Sequence, residues 1–330
     1  PKSLENYSQE IGRAGRDGEP AICETFACPD DLRVLENFVY GDTPTLAAVA
    51  AFIHDLFSLG KEFDISVYEL SSAHDLRPLV TRTLLTYLEL LGHIEGGTPF
   101  YSSYRFQPKV SSKDILARFD GEQRQFLAGV LRQARKARTW FNLDTHQAAI
   151  DLRASRQRIV AALDYLGEQG MLELKTAGVR HRYTLLRQPD DLDALAEKLH
   201  RRTRKREASE IARLQQVTDL VELNGCQVAA LSAHFGEDCE PCGHCSWCLN
   251  DQTAAELPAS AAPCIDEAIW QQAQNVRREH PDIFRDPRTM ARFLCGVSSP
   301  WLSKGKLTGH SLFGALDQVP FGEVLERAAQ

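Results

Sequence analysis

The apolar positions of the chain follow the 3.6-residue period of an amphipathic helix over much of its length, and one order of elements occurs twice. The first copy is predicted to contain a strand at Ile65–Val67, a short helix at Tyr68–His74, a longer helix at Arg77–Leu91, and a hairpin of Ile94–Glu95 with Tyr101–Phe106. The second is predicted to contain a helix at Glu122–Arg138, a strand at Thr139–Leu143, a helix capped by Asp144, a longer helix at Arg156–Gln169, and a hairpin of Met171–Lys175 with His181–Leu186 around Gly178. Helix, turn, helix and a two-stranded wing are typical of the winged-helix fold, so the pattern predicts two such domains in tandem.

The segments outside these two copies are predicted to be mainly helical. Ala21–Ala27 is predicted to be a strand, whereas Leu192–Arg206 and Glu207–Leu223 are predicted to be two helices that pair as a hairpin. The fold class expected is therefore mainly α with small β wings, an α+β protein. The predicted domains are 1–44, a first winged helix with its linker helix at 45–110, a second winged helix at 111–189, a helical hairpin with a cysteine cluster at 190–252, a linker at 253–264, and a small helical domain at 265–330.

Composition sets the protein class. The 330 residues are 43% hydrophobic and 25% charged, which is ordinary for a globular protein. No apolar run approaches the roughly 20 residues that cross a bilayer, and the amino terminus is neither a signal nor a transit peptide. We therefore expect a cytoplasmic protein. Without a secretory signal, the nine cysteines favour metal binding or buried thiols over disulfides.

Positive charge is concentrated in one part of the chain, although the formal net charge is −7. From Arg132 to Arg206 there are 17 Lys and Arg residues against 9 Asp and Glu residues. Runs of this kind neutralise phosphates and release counterions. A charge run is more often a solvated helix face, so these runs indicate nucleic-acid binding only if they share a surface with a DNA-binding fold.

Five of the cysteines fall between residues 226 and 248. Cys-x-x-Cys knuckles let two thiolates reach one tetrahedral ion, and a ligand from a nearby helix would complete a closed zinc site. The series Cys239, Cys242, Cys245 and Cys248 is also similar to ferredoxin-like iron–sulfur spacing. Both metals are compatible with this spacing, and bound iron with visible colour would identify a cluster.

A glycine-rich loop lies near the start of the sequence. Glycines at every third position from Gly12 to Gly18 enclose Arg13 and Arg16, so a ligand can approach the backbone closely while guanidiniums bind it. Glycine spacing alone is equally compatible with a solvated turn. The whole string from Pro1 to Gly18 resembles the last conserved motif of superfamily 2 helicases, in the form used by the RecQ family of DNA helicases.

This resemblance implies a role in ATP hydrolysis for the loop. Gln9, Arg13 and Arg16 would lie in the cleft between two RecA-like lobes, with Arg16 neutralising charge on the transferred γ-phosphoryl group. Residues 1–44 would then be the remnant of the second lobe. Because the chain contains no G-x-x-x-x-G-K-[ST] motif, we expect ATP and Mg²⁺ to bind only the full-length enzyme, and this chain alone to be inactive as an ATPase.

The same resemblance selects among the cysteines. Cys226, Cys242, Cys245 and Cys248 match the RecQ zinc module, which implies a structural Zn²⁺ and leaves Cys239 spare. The winged helices precede the cysteines here, as in the branch that includes a bacterial RecQ-like group and the human helicase linked to Rothmund-Thomson syndrome.

The predicted DNA contacts are basic and aromatic residues of the two winged helices and the arginine-rich helix that follows. Arginines at the amino end of a recognition helix meet phosphates or base edges, and wing aromatics stack on unpaired bases. Winged-helix domains also serve as spacers between proteins, without binding DNA. The candidates are Arg153, Arg156, Arg158, Arg180, His181, Arg182, Tyr101, Tyr104, Arg201 and Arg204.

Two functions are compatible with the sequence. The first is the DNA-binding and zinc-binding carboxyl-terminal part of an ATP-dependent 3′–5′ RecQ-like helicase that unwinds duplex or forked DNA in repair or recombination, with a protein partner expected at the carboxyl-terminal domain. The second is a non-catalytic tandem winged-helix factor that binds DNA or protein. The arginine loop favours the first, because a transcription factor has no use for a phosphate-sensing motif.

Overall fold

The computed structural model describes residues 1–258 and 264–330, and the chain divides into two compact units. Unit 1 contains residues 1–56, 71–85 and 189–330, whereas unit 2 contains residues 57–70 and 86–188. Helices and one antiparallel sheet together make a mixed α+β protein, which confirms the predicted class at that level. Residues 259–263 of the predicted linker lie outside the described residues. None of the described helices has the length and apolar content of a membrane span.

The helices follow the predicted order closely. They are α1 (Leu4–Ile11), α2 (Pro29–Gly41), α3 (Leu46–Ser58), α4 (Val67–Ala73), α5 (Pro78–Leu90), α6 (Ser112–Leu116), α7 (Gly121–Gln133), α8 (Thr145–Asp151), α9 (Arg156–Glu168), α10 (Leu192–Val221), α11 (Gln227–His234), α12 (Ser246–Leu249), α13 (Glu267–Glu279), α14 (Pro287–Leu294), α15 (Pro300–Lys304) and α16 (Phe321–Ala329). The strands are β1 (Glu62–Ile65), β2 (Ile94–Gly96), β3 (Phe100–Pro108), β4 (Arg135–Lys136), β5 (Phe141–Asp144) and β6 (Leu172–Leu185).

Local capping signals explain most helix starts. Asp144 accepts hydrogen bonds from the backbone N–H groups of the first turn of α8, and Ser155 does the same for α9. Asp286 caps α14, in which Pro287 occupies the first position, where proline needs no hydrogen-bond partner.

The strand pairing differs from the prediction. Strand β6 is one continuous 14-residue strand, and the strands pair in the order β1-β6-β3-β5-β4, with β2 also pairing with β6. Ile94 therefore lies opposite Leu185, and Phe106 lies opposite Leu174. Both predicted hairpins are wrong, because the strands find partners far away in the sequence rather than next to them.

Gly178 misled the sequence interpretation for a physical reason. The residue has φ +64°, yet it lies inside β6 and not in a turn. A Cβ atom at this position would lie 2.5 Å from the Ser103 hydroxyl and 2.7 Å from that of Ser102. Glycine here permits the close approach of a neighbouring strand, which is a common reason for a glycine inside a strand.

We expect Gly178→Ala to destabilise the protein more than Gly170→Ala. Both glycines have left-handed φ values, +64° and +67°, but no atom lies within 4 Å of a Cβ at Gly170. Each substitution costs about 1–2 kcal/mol for the left-handed backbone. Gly178→Ala should cost roughly 1 kcal/mol more through crowding of the serines. Urea unfolding of both variants measures the difference, and equal losses would contradict the close-approach explanation.

Helix α10 replaces the predicted helical hairpin. It is a single helix of 30 residues, so the predicted break between Arg206 and Glu207 is wrong. No glycine or proline lies within it to end the helix. Its buried positions continue through the predicted break, from Leu199 through Thr203 and Glu207 to Leu214.

The segment predicted as the strand Ala21–Ala27 has no regular structure. The side chains of Ile22 and Phe26 are 89% and 91% exposed, and no strand pairs with this segment in the described residues. A strand is stable only when its backbone groups bond to a neighbouring strand, and none is provided here.

The core of unit 2 lies under the sheet. Its buried side chains come from the inward face of β3 and β5 and from α7 and α9, and they include Phe106, Val130, Leu143, Ile159 and Leu163. The outward face of the same sheet is left to solvent-exposed polar residues, including Arg105, Asn142 and Lys175.

Within unit 1, two buried ion pairs connect α14 to α10 and to the turn that precedes α5. Arg288 contacts Glu207 of α10, and Arg292 lies 3.8 Å from Asp75. Burial lowers the pKa of both guanidiniums, that of Arg292 to about 10. Tyr40 of α2 stacks on Phe321 of α16 with ring centroids 4.5 Å apart.

Candidate metal centre and nucleic-acid interface

Four cysteines converge at the start of α11 and around α12. Cys226 is the residue that caps α11, and Cys242, Cys245 and Cys248 lie on the segment that leads into and through α12. Their sulfur atoms all lie within 4.8 Å of one another. Cys239 is exposed and lies outside this cluster.

Backbone N–H groups surround the sulfur atoms. The N–H groups of Ala229 and Cys242 donate to the Cys226 sulfur at 3.4 and 3.2 Å, and that of Cys245 donates to the Cys242 sulfur at 3.2 Å. Such donors stabilise a thiolate, as does the amino end of a helix.

The thiols divide into acidic and weakly acidic members. Desolvation opposes ionisation of Cys245, but backbone N–H groups and neighbouring thiols outweigh it and lower its pKa to about 6. The pKa of Cys226 is also lowered: desolvation opposes this shift, and the N–H donors of Cys242 and Ala229 outweigh it. Desolvation and the surrounding thiols raise the pKa of Cys248 to about 12. The pKa of Cys242 is also raised, chiefly by desolvation.

The donor set fits a single tetrahedral ion with thiolate ligands. Zinc–sulfur bonds of 2.3 Å place the sulfur atoms of a tetrahedron about 3.8 Å apart. The Cys226 and Cys245 sulfur atoms are 3.9 Å apart, which agrees with this spacing. Zn²⁺ held by four thiolates would fasten α11 to the segment that follows it. The alternative ligand set that includes Cys239 does not form.

Two nearby histidines have other partners. The His244 Nδ1 lies 2.8 Å from the Cys242 carbonyl oxygen, and His234 lies 3.4 Å from the Glu5 carboxylate. The second contact joins α11 to α1, the helix that leads into the arginine loop. The cysteine cluster and that loop therefore belong to the same unit.

The arginine loop itself is exposed. Gln9, Arg13 and Arg16 are exposed, with Gly15 and Gly18 at φ +64° and +83°. The positive φ values agree with the conformational freedom that the sequence predicted for these glycines. No carboxylate pairs with Arg13 or Arg16 among the residues that the structure describes.

The arginines predicted to contact DNA from α9 are used largely within unit 2. Arg156 donates to the Thr145 hydroxyl at 3.1 Å and to the Tyr101 carbonyl, whereas Arg158 pairs with Glu122 at 2.7 Å. Arg153 is exposed and has φ +48° in the turn before α9.

The predicted wing residues lie in the middle of β6. Arg180 pairs with Glu69 at 3.0 Å, and Arg182 pairs with Asp64 at 3.0 Å. His181 lies opposite Ile65 in the pairing of β1 with β6. These side chains hold neighbouring elements of unit 2 and do not project from a hairpin tip.

The two tyrosines differ in exposure. Tyr101 is 44% exposed, whereas Tyr104 is buried in the core of unit 2. The ring of Tyr104 therefore has no free face on which a base could stack. The alternation along β3 explains the difference, because positions 101 and 104 point to opposite faces of the strand.

The two predicted DNA-binding arginines of α10 differ in their contacts within the protein. Arg201 is exposed, whereas Arg204 bonds to Glu207 at 2.9 Å. Sequence reasoning missed the buried pairs of Arg288 with Glu207 and Arg292 with Asp75. No local pattern signals them, because Glu207 and Arg288 are 81 positions apart.

Comparison with known proteins identifies a family and relatives to which this chain is similar. Residues 187–249 match the family described as RecQ zinc-binding, and this range contains all four clustered cysteines. Over 99% of its length the chain is 22% identical to ATP-dependent DNA helicase Q-like 5 of Arabidopsis thaliana, of which it covers 36%.

Two shorter matches agree with this result. The chain is 44% identical over 59 residues to human ATP-dependent DNA helicase Q4, covering 17% of the chain and 5% of that protein. It is 36% identical over 56 residues, 17% of its length, to the probable ATP-dependent DNA helicase RecS of Bacillus subtilis, covering 11% of that protein. The chain thus spans about a third or less of these relatives. Residues 187–249 of the chain are therefore similar to the RecQ zinc-binding family, and the chain as a whole is similar to part of proteins named as ATP-dependent DNA helicases.

Proposed function

We propose that this chain is the DNA-binding and zinc-binding part of an ATP-dependent 3′–5′ RecQ-like DNA helicase that unwinds duplex or forked DNA in repair or recombination. The observation that carries the proposal is the four-cysteine cluster inside the region that matches the RecQ zinc-binding family. The Arabidopsis and human relatives described above are named as ATP-dependent DNA helicases, which supports the same assignment.

The proposed parts have separate tasks. Zn²⁺, held by Cys226, Cys242, Cys245 and Cys248, is structural, because four thiolates leave no open coordination position. Residues 1–44 belong to the second RecA-like lobe, where Arg13 and Arg16 act on ATP and Mg²⁺ bound with the rest of the motor. The helices of both predicted winged-helix domains contribute to DNA binding. The proposed setting is the bacterial cytosol or nucleoid.

DNA binding by the chain tests this proposal directly. We expect fluorescently labelled forked, duplex and single-stranded DNA to bind with affinities that fall steeply as salt rises, since each phosphate contact releases counterions. The measurement is fluorescence anisotropy from 50 to 300 mM NaCl. Absent or salt-insensitive binding to all three DNAs would contradict the proposal and favour a protein-docking factor.

ATP turnover supplies a second test. The chain alone should show no DNA-stimulated ATP hydrolysis above a blank, because the phosphate loop that binds ATP lies outside it in this proposal. Turnover that Arg16→Ala abolishes would overturn the assignment of residues 1–44 to an incomplete nucleotide site.

A further inference from the structure

The exposed face of the sheet in unit 2 carries a row of three basic residues and one asparagine that crosses four strands. Lys175 of β6 lies opposite Arg105 of β3, which lies opposite Asn142 of β5, which lies opposite Arg135 of β4. Residues directly opposite one another on neighbouring strands point to the same face. All four side chains are exposed, and with strands about 4.8 Å apart the row is about 14 Å long.

Trp140 lies beside this row. It immediately precedes β5 and lies two positions before Asn142. The Lys175 ammonium is 4.4 Å from the centre of the indole ring, and the Arg105 guanidinium is 5.7 Å from it. These cation–π contacts hold two cations against one aromatic ring.

The adjoining turn extends the positive surface. The Ala137 N–H group donates to the Trp140 carbonyl at 2.7 Å, which closes a hairpin of β4 and β5 over Arg138 and Thr139. Arg138 is exposed at this turn.

Among the described residues, the arginines of this surface lack acidic partners, in contrast to most of the arginines predicted from the sequence. Arg156, Arg158, Arg180 and Arg182 bond to groups of their own unit, as described above. In contrast, no carboxylate lies within ion-pair distance of Arg105, Arg135 or Arg138 in the described part of the chain. Lys175 lies 3.4 Å from Glu173, but both side chains are about half exposed, and an exposed pair of this kind contributes little.

We propose that the row Lys175, Arg105, Asn142 and Arg135, together with Trp140 and Arg138, is a binding surface for single-stranded DNA. This inference rests on the proposed function, because it specifies where the chain binds DNA. The cations bind phosphates, and the Asn142 amide and the indole face the sugars and bases. An exposed sheet face suits an extended single strand, whereas duplex recognition uses an element that enters a groove.

The test compares two triple variants of the full chain that remove equal charge. The first is Arg105→Gln/Lys175→Gln/Arg135→Gln. The matched control is Lys113→Gln/Arg118→Gln/Arg124→Gln, three exposed positions of α6, α7 and the segment between them in the same unit. Binding of a fluorescein-labelled 20-nucleotide oligothymidylate and of a 20-base-pair duplex is followed by anisotropy from 50 to 300 mM NaCl.

For the first triple variant we expect affinity for the oligothymidylate to fall at least about tenfold at 100 mM NaCl. The slope of log affinity against log salt should become shallower by about 2, or roughly 0.7 for each lost phosphate contact. The control variant should stay within about twofold of the unmodified chain. If the first variant does not fold, the double variant Arg135→Gln/Arg138→Gln, which alters only the exposed hairpin, is used instead. Its salt slope should be shallower than that of the unmodified chain by about 1.4.

Three results would overturn this inference while leaving the proposed function intact. They are unchanged binding by the first variant, equal weakening by both triple variants, and a loss that is larger for the duplex than for the oligothymidylate. Failure of the unmodified chain to bind any DNA would instead contradict the proposed function itself.

Discussion

Cys242→Ser is expected to release zinc and to unfold residues 226–249. A serine hydroxyl is a poor zinc ligand, and the segment between α11 and α12 has little apolar core of its own: no residue of either helix is buried. Its order therefore depends on the metal, and metal binding free energy is folding free energy in such modules. Zinc content should fall from one ion per chain to less than 0.2, and most of the Cys242→Ser protein should be insoluble.

The matched control is Cys239→Ser. Cys239 is exposed and outside the cluster, so this variant should keep one zinc ion and the solubility of the unmodified chain. Elemental analysis of the purified proteins measures zinc and iron together. A soluble Cys242→Ser protein that retains one zinc ion would contradict the ligand assignment, and stoichiometric iron in the unmodified chain would contradict the choice of metal.

Glu207→Ala is expected to destabilise unit 1 by about 3–5 kcal/mol, because it leaves the buried Arg288 guanidinium without its carboxylate. Arg288 and Glu207 are 6% and 7% exposed, so water cannot replace the lost partner. The remaining contacts of Arg288 are weak substitutes: one hydrogen bond of 3.3 Å to the Tyr40 carbonyl and the rings of Tyr40 and Phe321 at 5.9 and 5.4 Å.

The double variant Glu207→Ala/Arg288→Met separates charge from packing. Replacing a buried ion pair with apolar residues is often neutral, so the double variant should regain most of the lost stability. Glu210→Ala on the same helix removes a more exposed pair with Arg213 and should cost less than about 1 kcal/mol. Urea unfolding followed by circular dichroism measures all three. Equal losses for Glu207→Ala and Glu210→Ala would show that the buried pair has no special importance.

Local signals in the sequence predicted local structure well. The cap at Asp144 depends only on the next few residues, and the helix that it starts was found where it was predicted. The zinc ligands follow from spacing together with the resemblance. The structure adds that Cys226 lies close to the other three sulfur atoms, the nearest of which in sequence is 16 positions away.

Long-range pairing was not predictable in the same way. Strand β6 pairs with β1, β2 and β3, and nothing in its own residues specifies these partners over a nearby hairpin. The glycine that suggested a turn marks a close approach instead. The arginines of β6 and α9 resemble a DNA-binding surface in the sequence. The carboxylates that pair with Arg158, Arg180 and Arg182 come from distant segments, so these ion pairs form only when the chain is folded.

The unbroken helix α10 also has a mechanical meaning. At 1.5 Å per residue, its 30 residues form a rod about 45 Å long. Near its amino-terminal end Asp193 bonds to His54 at 2.8 Å, its middle holds Arg288 through Glu207, and it also packs against α1 and α11. A rod without a glycine or proline hinge transmits displacement along its axis and does not absorb it. Strain applied where α1 enters the arginine loop would therefore reach the metal centre and the carboxyl-terminal helices together.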